Sequence, residues 1–494
     1  MVQEDEMFFN REYELSRLKS LFNLNKASIV VCMGRRRIGK STLIDEFAKD
    51  VTHYIDIQGL SPKYIDQDGQ ITKSRILLND QLSNFDELLS QKANIPRMKP
   101  VTWTQAFSFL NSAIQNEPTV VLLDEISWMS SGEKNFAGAL KIAWDTQLKR
   151  HPRLVLVLCG SVSSWIEDNI LKNTGFRGRV SLVLKIEELS LHHSNQFWDK
   201  APGKISSFEK FKILSVTGGV PKYLEEIDKN KSAEKNILHL CFQKEGYLFR
   251  EYEEIFLDTF GKRSPTYQKI IEKLADGHQL IKDIASYLGW KQGGTINHYL
   301  EDLEKSGFIE SYTSKAPGKK ETNKNIRFRL CDNYLRFYLK YIYPKKRAIN
   351  SRHFEQIELD TLPGWDTIMG LQFENLVLNN YKLVCSILDI KLSSVMGVGP
   401  YFQKKTKSRP GYQIDLLIET KYTIYICEIK FRKFIDLKVI QEVQRKMTNL
   451  NCPKHLSVRP ILIYVGELDK TIVDEDFFAH LIAFDQLLSA NCSL

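Results

Sequence analysis

Two stretches of this chain contain residues whose types and spacing could do chemistry. The first is GRRRIGKSTL (residues 34–43), which has the spacing G-x-x-x-x-G-K-S and stands between the apolar run SIVVCM and a helical segment. A strand that leads through a glycine-rich turn into a helix presents backbone N–H groups to phosphate. Lys40 would reach the β- and γ-phosphates of a nucleotide, and Ser41 would ligate Mg²⁺. The predicted nucleotide contacts in this loop are Gly34, Gly39, Lys40, Ser41 and Thr42.

A second pattern strengthens the prediction of a nucleotide site. TVVLLDE (residues 119–125) is an apolar strand that ends in two carboxylates. Asp124 would join the Mg²⁺ shell, and Glu125 would polarise the attacking water. The next strand, LVLVLCGS, ends in Ser161, which would face the γ-phosphate. A buried strand with a solvated acidic turn could explain TVVLLDE alone, but both patterns together predict hydrolysis of a nucleoside triphosphate.

Two arginines follow that strand, Arg177 and Arg179 in NTGFRGRV. A guanidinium matches phosphoryl oxygens bidentately, so an arginine at this place could cover a γ-phosphate in a neighbouring subunit. A solvated basic loop explains the same residues equally well, and both alternatives stay open.

The second chemical stretch is GYQIDLLIETKYTIYICEIKF (residues 411–431), which is typical of two strands joined by a tight turn. Asp415 would lie on the first strand, and Glu428 and Lys430 would share one face of the second. Two carboxylates on adjacent strands can hold a divalent cation, and a lysine beside them can orient a water. Glu374, on a predicted upstream helix, could join them. The alternative is an edge hairpin with an ordinary ion pair and no catalysis.

The segment between these sites has the pattern of a winged helix: two short amphipathic helices with a tight turn, then a hairpin. The hairpin is rich in basic residues that could clamp phosphate: Lys315, Lys319, Lys320, Lys324, Arg327 and Arg329. The presumed recognition helix offers Lys291 and Asn297, but a DNA backbone would repel its acids Glu301, Asp302 and Glu304. Winged helices also bind proteins, so that alternative stays open.

The elements that must position these residues follow from the pattern of apolar runs. Residues 28–240 alternate β-branched runs with helical stretches, which predicts a parallel α/β sheet. The predicted strands are Ser28–Met33, His53–Ile57, Thr119–Leu123, Leu154–Cys159 and Val180–Leu184. A basic segment at residues 343–352 is predicted to be a linker, and the remainder to be a separate α/β domain.

Composition limits the protein class. A chain of 494 residues is too long for one ordinary core, so roughly two to four domains are expected. No apolar run approaches the ~18–20 residues that span a bilayer, and the acidic N-terminus does not resemble a signal peptide. Eight cysteines without a C-x-x-C pair indicate reduced core residues in a cytoplasmic protein rather than a disulfide framework or a zinc site.

The motifs occur in the order found in the prokaryotic "archaeal ATPase" family of the AAA+/STAND group, which the chain resembles over residues 7–345. The resemblance rests on FFNREYELSRL, GRRRIGKSTL, VLLDE, LCGS, FRGR and TGGVPKYL. It implies that Asn10, Arg11 and Glu12 lie near adenosine and that Arg179 is the catalytic arginine. It also implies that a helical lid closes the pocket through Gly219 and Pro221 of TGGVPKYL.

The D…E-x-K arrangement with a helical glutamate resembles the PD-(D/E)xK nuclease superfamily, although no proline directly precedes Asp415. The expected fold is α/β and multidomain: a P-loop AAA+-type parallel sheet with a helical lid, a winged helix-turn-helix and a C-terminal restriction-endonuclease-like domain. The expected domains are the ATPase core 1–185, the lid 186–258, the winged helix 259–345 and the nuclease-like domain 346–494.

These predictions favour an ATP-hydrolysing AAA+/STAND-type protein that couples nucleotide state to DNA binding and to metal-dependent nucleic-acid cleavage, in defence or mobile-element biology. Its catalytic residues would be Lys40, Glu125, Arg179, Glu374, Asp415, Glu428 and Lys430. Its metal ligands would be Ser41 and Asp124 at one site and Asp415 and Glu428 at the other. The cofactors would be ATP and Mg²⁺, with Mn²⁺ as a substitute at the nuclease-like site.

The expected partner is nucleic acid, DNA more than RNA, with no membrane; a homo-oligomer and a protein partner of the winged helix stay open. The competing hypothesis is a regulatory or scaffold ATPase with a catalytically silent nuclease-like domain and a protein-binding winged helix. A sequence-specific transcription regulator is a third hypothesis, which the acidic recognition helix disfavours.

Overall fold

A computed structural model describes the chain in two compact units, Met1–Glu187 and Glu188–Leu494. The described residues are 8–61, 64–65, 71–72, 77–130, 133–161, 164–201, 203–260, 264–313, 326–352, 354, 357–403, 405 and 410–490.

The first unit is built on a five-stranded parallel sheet of strand order β2-β5-β6-β1-β7. Its strands are β1 Ser28–Gly34, β2 His53–Gln58, β5 Thr119–Asp124, β6 Leu154–Ser161 and β7 Val180–Ile186. All five predicted strands are confirmed, each one or two residues longer than predicted. They were recognisable because a parallel sheet covered on both faces requires nearly continuous apolar runs.

Helices cover both faces of this sheet. They are α1 Glu12–Phe22, α2 Lys40–Ala48, α3 Leu78–Ala93, α4 Trp103–Ala113, α5 Ile126–Met129, α6 Phe136–Thr146 and α7 Ser164–Ile166, with a small hairpin of β3 Tyr64–Ile65 and β4 Ile71–Thr72. Alternate strand residues point to opposite faces: Ile29 and Val31 join one core, and Val30 and Cys32 join the other.

The second unit begins with a helical region and a small antiparallel sheet. Its helices are α8 Leu191–Asn195, α9 Ser207–Thr217, α10 Pro221–Glu225, α11 Ala233–Cys241, α12 Tyr247–Phe260, α13 Ser264–Ala275, α14 Ile281–Tyr287, α15 Gly294–Lys305, α16 Asn333–Phe337 and α17 Lys346–Asn350. The sheet, of order β8-β10-β9, contains β8 Gln279–Leu280, β9 Ile309–Thr313 and β10 Ile326–Leu330. We call residues 264–330 the middle module.

Glycines end the two helices of the predicted helix pair. Gly289 and Gly307 follow α14 and α15 with φ of 69° and 75°, the left-handed conformation that favours glycine after a helix. The predicted linker at residues 343–352 is instead partly helical, because α17 lies there and buries Ile349. Lys315, Lys319, Lys320 and Lys324 lie outside the described residues.

The C-terminal part of the second unit contains a five-stranded sheet in sequential order. Its strands are β11 Val395–Gln403, β12 Tyr412–Thr420, β13 Thr423–Ile435, β14 Ser457–Leu468 and β15 His480–Ala483, with helices α18 Trp365–Asn379, α19 Tyr381–Ile387, α20 Lys438–Asn449, α21 Lys470–Asp474 and α22 Phe484–Ser489. β11, β12 and β13 are antiparallel, and β13, β14 and β15 are parallel. The predicted hairpin is confirmed as β12 and β13.

The structure also bears on membrane-spanning helices and on the cysteines. Among the described residues, no helix is both long enough and apolar enough to cross a membrane. The seven cysteines in that part of the chain are free thiols, and five of them are buried.

Candidate functional sites

The loop between β1 and α2 has the backbone that a phosphate cradle requires. Gly39 precedes the first residue of α2 with φ of 84°, and Arg37 also has a positive φ, of 70°. Gly34 serves a different purpose, because a Cβ atom there would lie 2.5 Å from the carbonyl oxygen of Ile186 on β7. The first glycine therefore permits close packing, and the second permits the turn into the helix.

The predicted Mg²⁺ ligands of this loop lie side by side. Ser41 Oγ donates to Asp124 Oδ2 at 2.7 Å, which brings the loop's hydroxyl to the end of β5. A serine hydroxyl beside a carboxylate is a donor set that suits Mg²⁺ when nucleotide phosphates supply further oxygens. The buried Lys40 Nζ donates to Arg35 O at 3.0 Å, so the ammonium lies under the loop.

Glu125 is held at the end of β5 with one carboxylate oxygen unsatisfied. Its φ is 49°, and its backbone N donates to Asp124 Oδ1 at 2.9 Å. Among the described residues, the buried Oε2 atom has no hydrogen-bond partner. Burial raises the pKa of Glu125, the neighbouring Asp124 raises it further, and the charge of Lys40 and a backbone hydrogen bond from Ser161 lower it. Ser161 is therefore beside Glu125, as adjacent strand ends require.

The residues before α1 have an unusual backbone. Asn10 and Arg11 both have positive φ, of 56° and 108°. Two consecutive non-glycine residues keep this strained left-handed backbone only where surrounding contacts hold it. Arg11 Nη2 donates to Glu187 O at 2.6 Å, and its guanidinium lies 3.6 Å from Glu14 Oε1. Burial lowers the pKa of Arg11. Contact of Asn10 and Arg11 with adenosine stays a prediction.

Arg179 is engaged within its own chain. Its Nε and Nη2 donate to Asp145 Oδ1 and Oδ2 at 2.7 and 2.9 Å, and these hydrogen bonds lower the pKa of Asp145 to about 2. Arg177 is exposed. Arg179 would have to leave Asp145 before it could contact a nucleotide in another subunit.

The C-terminal hairpin brings the predicted carboxylates together. Leu416 pairs with Cys427 across β12 and β13, so Asp415 lies beside Glu428, and Asp415 Oδ2 accepts from Ile429 N at 2.9 Å. Burial raises the pKa of Asp415 to about 8, with further contributions from the charges of Glu428 and Glu374. The charges of Glu428 and Glu374 therefore both act on Asp415.

Two lysines hold the carboxylate of Glu428, which is 1% exposed. Lys430 Nζ lies 2.8 Å from Glu428 Oε1 and 2.9 Å from Glu442 Oε2, and Lys446 Nζ lies 2.5 Å from Glu428 Oε2. Among the described residues, no three His, Cys, Asp or Glu side chains form a group able to hold a metal ion. Mg²⁺ uses only one or two protein carboxylates and completes its shell with waters and substrate oxygens, so Asp415 and Glu428 fit such an ion if Lys446 yields its place.

Glu374, on α18, is held by two hydrogen-bond donors at one oxygen. His278 Nε2 and Gln413 Nε2 lie 3.1 and 3.2 Å from Glu374 Oε1. His278 belongs to the middle module, between α13 and β8. Burial lowers the pKa of His278, while Glu374 raises it. Glu374 thus lies beside the first strand of the hairpin, and a residue of the middle module helps to hold it there.

Comparison with known proteins bears on the nucleotide site. Residues 8–227 match the family model of an ATPase domain predominantly from Archaea. A 453-residue alignment with an uncharacterized protein of Methanocaldococcus jannaschii has 26% identity and covers 89% of this chain and 92% of that protein. An uncharacterized ATP-binding protein of the same organism is 46% identical over 44 residues, which are 9% of this chain and 75% of that protein.

Among solved structures, a Walker-type ATPase of Pyrococcus abyssi is similar to this chain, with 19% sequence identity and a TM-score of 0.49. The similarity covers 67% of this chain and 96% of that one. The ORC2 protein of Aeropyrum pernix has 15% identity and a TM-score of 0.39, covering 71% and 97%. Both scores are below 0.5, so the P-loop fold rests on the parallel sheet, the loop geometry and the family match.

The ATPase domain match includes the predicted lid motif. Gly219 cannot carry a side chain, because a Cβ atom would lie 2.0 Å from Leu189 O. Pro221 occupies the first turn of α10, where the missing N–H has no helical partner to lose. The role of Gly219 and Pro221 in closing the nucleotide pocket stays a prediction.

Some functional candidates escaped prediction from the sequence. Lys446 carried a detectable signal, because Glu442 and Lys446 are four residues apart and therefore share a face of α20. His278 and Gln413 carried none, since their contacts with Glu374 join residues far apart in the chain. No local periodicity encodes such contacts.

The charge of α15 also differs from the expectation. Of its three acids, Asp302 is buried and accepts from Tyr267 Oη at 2.5 Å, and Glu304 Oε1 accepts from Ser311 N at 2.7 Å. Of the three, only Glu301 is exposed. Several polar and basic residues are exposed in the first turns of the helix and just before it: Lys291, Gln292, Thr295, Asn297 and His298. The predicted repulsion of a DNA backbone is therefore weaker than the sequence suggested.

Proposed function

We propose that this protein hydrolyses ATP at the β1–α2 loop and that its nucleotide state controls nucleic-acid binding and cation-dependent strand cleavage. The observation that carries the proposal is the Glu125 carboxylate, buried with one unsatisfied oxygen beside the Ser41–Asp124 pair. A buried polar atom without a partner is costly in a native protein. Such an oxygen is suited to accept a hydrogen bond from a water.

The residues of the ATP site have distinct tasks in this proposal. Lys40 leaves the carbonyl of Arg35 to bind phosphate, and Ser41 and Asp124 hold Mg²⁺. Bound Mg²⁺ would neutralise charge on the β- and γ-phosphates. Glu125 orients the water for in-line attack, and Ser161, at the adjacent strand end, detects loss of the γ-phosphate.

The middle module is proposed to be a winged helix that contacts DNA. Its order of elements, α13-β8-α14-α15-β9-β10, and its three-stranded antiparallel sheet support this assignment. The inward orientation of Asp302 and Glu304 leaves the exposed start of α15 polar and basic, which favours contact with phosphates and base edges. Arg329 does not contribute to the predicted phosphate clamp, because it is buried.

The C-terminal site is proposed to cleave phosphodiester bonds, as the PD-(D/E)xK resemblance implies. Asp415 and Glu428 would hold a divalent cation, which would polarise the phosphoryl oxygens. Lys430, held between Glu428 and Glu442, would orient the attacking water or stabilise negative charge on the phosphate. The adjacent positions of Asp415 and Glu428 on β12 and β13 support a cation at this place.

One observation favours the competing function, a regulatory ATPase whose C-terminal domain does not cleave. Lys446 satisfies the Glu428 oxygen that Lys430 leaves open. A carboxylate neutralised by two ammonium groups has less affinity for a cation. The two functions therefore differ in whether a cation displaces Lys446.

The decisive experiment measures ATP turnover and cleavage in the same preparations. Full-length protein is incubated with plasmid, single-stranded DNA or RNA, with Mg²⁺ or Mn²⁺, and with or without ATP. We expect Glu125→Gln to lower ATP turnover by about 10²-fold or more while ATP still binds. The matched control is Glu117→Gln, at an exposed carboxylate just before β5.

Cleavage should require the divalent cation and should disappear in Asp415→Asn and in Lys430→Ala, while ATP turnover persists in both. Asp474→Asn, at an exposed carboxylate on α21, should cleave like the wild type. ATP turnover without cutting of any substrate would overturn the cleavage proposal and support the regulatory ATPase. Full ATP turnover in Glu125→Gln would overturn the assignment of the ATP site.

A further inference from the structure

Glu374 is oriented by a side chain of the middle module. We propose that His278 is a positioning residue of the candidate cleavage site, so that this site is complete only while the middle module is docked on α18. The inference rests on the proposed cleavage function. His278 and Glu374 are 11% and 14% exposed at their side chains, and their contact therefore lies within the protein rather than on its surface.

The hydrogen bonds of the imidazole ring assign its protons. Tyr312 Oη lies 2.7 Å from His278 Nδ1, and His278 Nε2 lies 3.1 Å from Glu374 Oε1. An ionised carboxylate only accepts hydrogen bonds, so Nε2 carries the proton that it donates to Glu374. In the neutral ring Nδ1 then accepts from the Tyr312 hydroxyl. Tyr312 therefore fixes the tautomer that allows His278 to hold Glu374.

The two donors to Glu374 contact the same oxygen of its carboxylate. His278 and Gln413 both donate to Oε1, and within the described part of the chain no donor contacts Oε2. Hydrogen bonds that fix the orientation of a carboxylate next to a metal site are a common support for the metal ligands. Gln413 pairs with Phe402 across β11 and β12 and lies two residues before Asp415, so Glu374 is held next to the hairpin.

The docking of the middle module on α18 is extensive enough to maintain this geometry. The buried Arg329, on β10, donates to Asn375 Oδ1 at 2.6 Å and to Asn379 Oδ1 at 2.8 Å, and both acceptors are on α18 after Glu374. Arg327 lies over the Phe402 ring at 4.2 Å. Strands β9 and β10, which flank the basic residues 314–325, therefore contact the helix and the strand that surround the candidate site.

The test measures Mn²⁺ binding to full-length, nucleotide-free protein, by the EPR signal of free Mn²⁺. The difference between wild type and Asp415→Asn defines the affinity of the C-terminal site. We expect His278→Ala to weaken that affinity by about 10–100-fold, the usual effect of removing a partner of a metal ligand. His278→Gln should recover part of the loss, because its amide can still donate to Glu374. His455→Ala, at an exposed histidine, should bind as the wild type does.

A double-mutant cycle distinguishes positioning from general stability. If His278 acts through Glu374, the double variant His278→Ala/Glu374→Ala should bind Mn²⁺ as weakly as Glu374→Ala alone. Tyr312→Phe keeps the ring in place and should weaken binding by several-fold, so it provides a second readout if His278→Ala folds poorly. A lower melting temperature with unchanged Mn²⁺ affinity would overturn the inference. Equal Mn²⁺ binding by wild type and Asp415→Asn would instead overturn the cleavage function on which it rests.

Discussion

Lys446 and Glu428 present the clearest question at the scale of single residues. An ammonium group at 2.5 Å from Glu428 Oε2 occupies the position from which a cation would bind that oxygen. The proposed cleavage site therefore requires Lys446 to move, and its charge should compete with the cation.

We predict that Lys446→Met tightens Mn²⁺ binding at the C-terminal site by about 10-fold or more, because a unit charge next to the cation is removed. Isothermal titration of nucleotide-free protein measures the change. Lys470→Met, at an exposed lysine, is the matched control and should have no effect. Weaker Mn²⁺ binding by Lys446→Met would show that Lys446 supports the cation site rather than competing with it.

A second residue-scale prediction concerns the arginine that completes the ATP site. Because Arg179 is paired with Asp145 and Arg177 is exposed, we expect Arg177→Ala to lower ATP turnover by about 10²-fold or more if it stabilises the transferred phosphoryl group in a neighbouring subunit. Arg179→Ala should instead lower the melting temperature and retain most turnover.

Mixing the variants tests whether this arginine acts between subunits. Arg177→Ala keeps an intact loop and Glu125→Gln keeps an intact arginine, so a mixture should recover turnover that neither variant has alone. Full turnover in Arg177→Ala, with loss in Arg179→Ala, would return the assignment to the arginine that the family resemblance implies.

At the scale of elements, α18 is held from several directions. Its Gln372 donates to Ser215 O on α9 and to Asn333 O on α16, at 2.7 and 2.6 Å. Arg329 adds hydrogen bonds to the asparagines that follow Glu374. Buried hydrogen bonds to three elements, α9, α16 and β10, therefore hold the helix that carries Glu374.

We predict that Arg329→Ala loosens α18 by about 2–3 kcal/mol, since hydrogen bonds to a charged group contribute ~1.5–3 kcal/mol. Arg329→Lys should not restore it, because a single ammonium lacks the planar fork that reaches Glu310 and both asparagines. Hydrogen exchange of α18 peptides, followed by mass spectrometry, measures the loosening. Arg445→Ala, at an exposed arginine on α20, is the control, and unchanged exchange in Arg329→Ala would contradict the prediction.

The elements also show how much of the fold can be predicted from the sequence. Strands β1, β2, β5, β6 and β7 were predictable because burial on both faces leaves an apolar run, and the hairpin was predictable from period-two alternation around a turn. Whether a polar residue turns inward was not predictable. Asp302 and Arg329 had the appearance of exposed charges, and only their long-range partners, Tyr267 and Asn375, show that they are buried.

The candidate site residues also include some that the sequence could predict and some that it could not. Ser41, Asp124 and Glu125 were predictable because each belongs to a short motif, Ser41 to the loop after β1 and the two acids to the end of β5. The Asp415–Glu428 pair followed from strand register. The hold of His278 on Glu374 was not predictable, because it depends on how one module packs on another.

At the scale of the whole molecule, the chain combines a match to an ATPase domain over residues 8–227 with a proposed C-terminal site, whose helix α18 contacts the middle module. In the proposed function, nucleotide state changes how these modules engage their targets. In this proposal, nucleic acid bound by β9 and β10 would act on His278 and α18 directly, and the ATP site would determine when that binding occurs.

The most direct test of this account is the rate of plasmid cleavage in Mn²⁺ with ATP, with ADP and with a non-hydrolysable ATP analogue. We predict that the rate differs several-fold between nucleotide states in the wild type, is insensitive to nucleotide in Lys40→Ala, and is abolished by Asp415→Asn in every state. Cleavage at one rate in all nucleotide states, or no Mn²⁺-dependent cleavage in any of them, would contradict it.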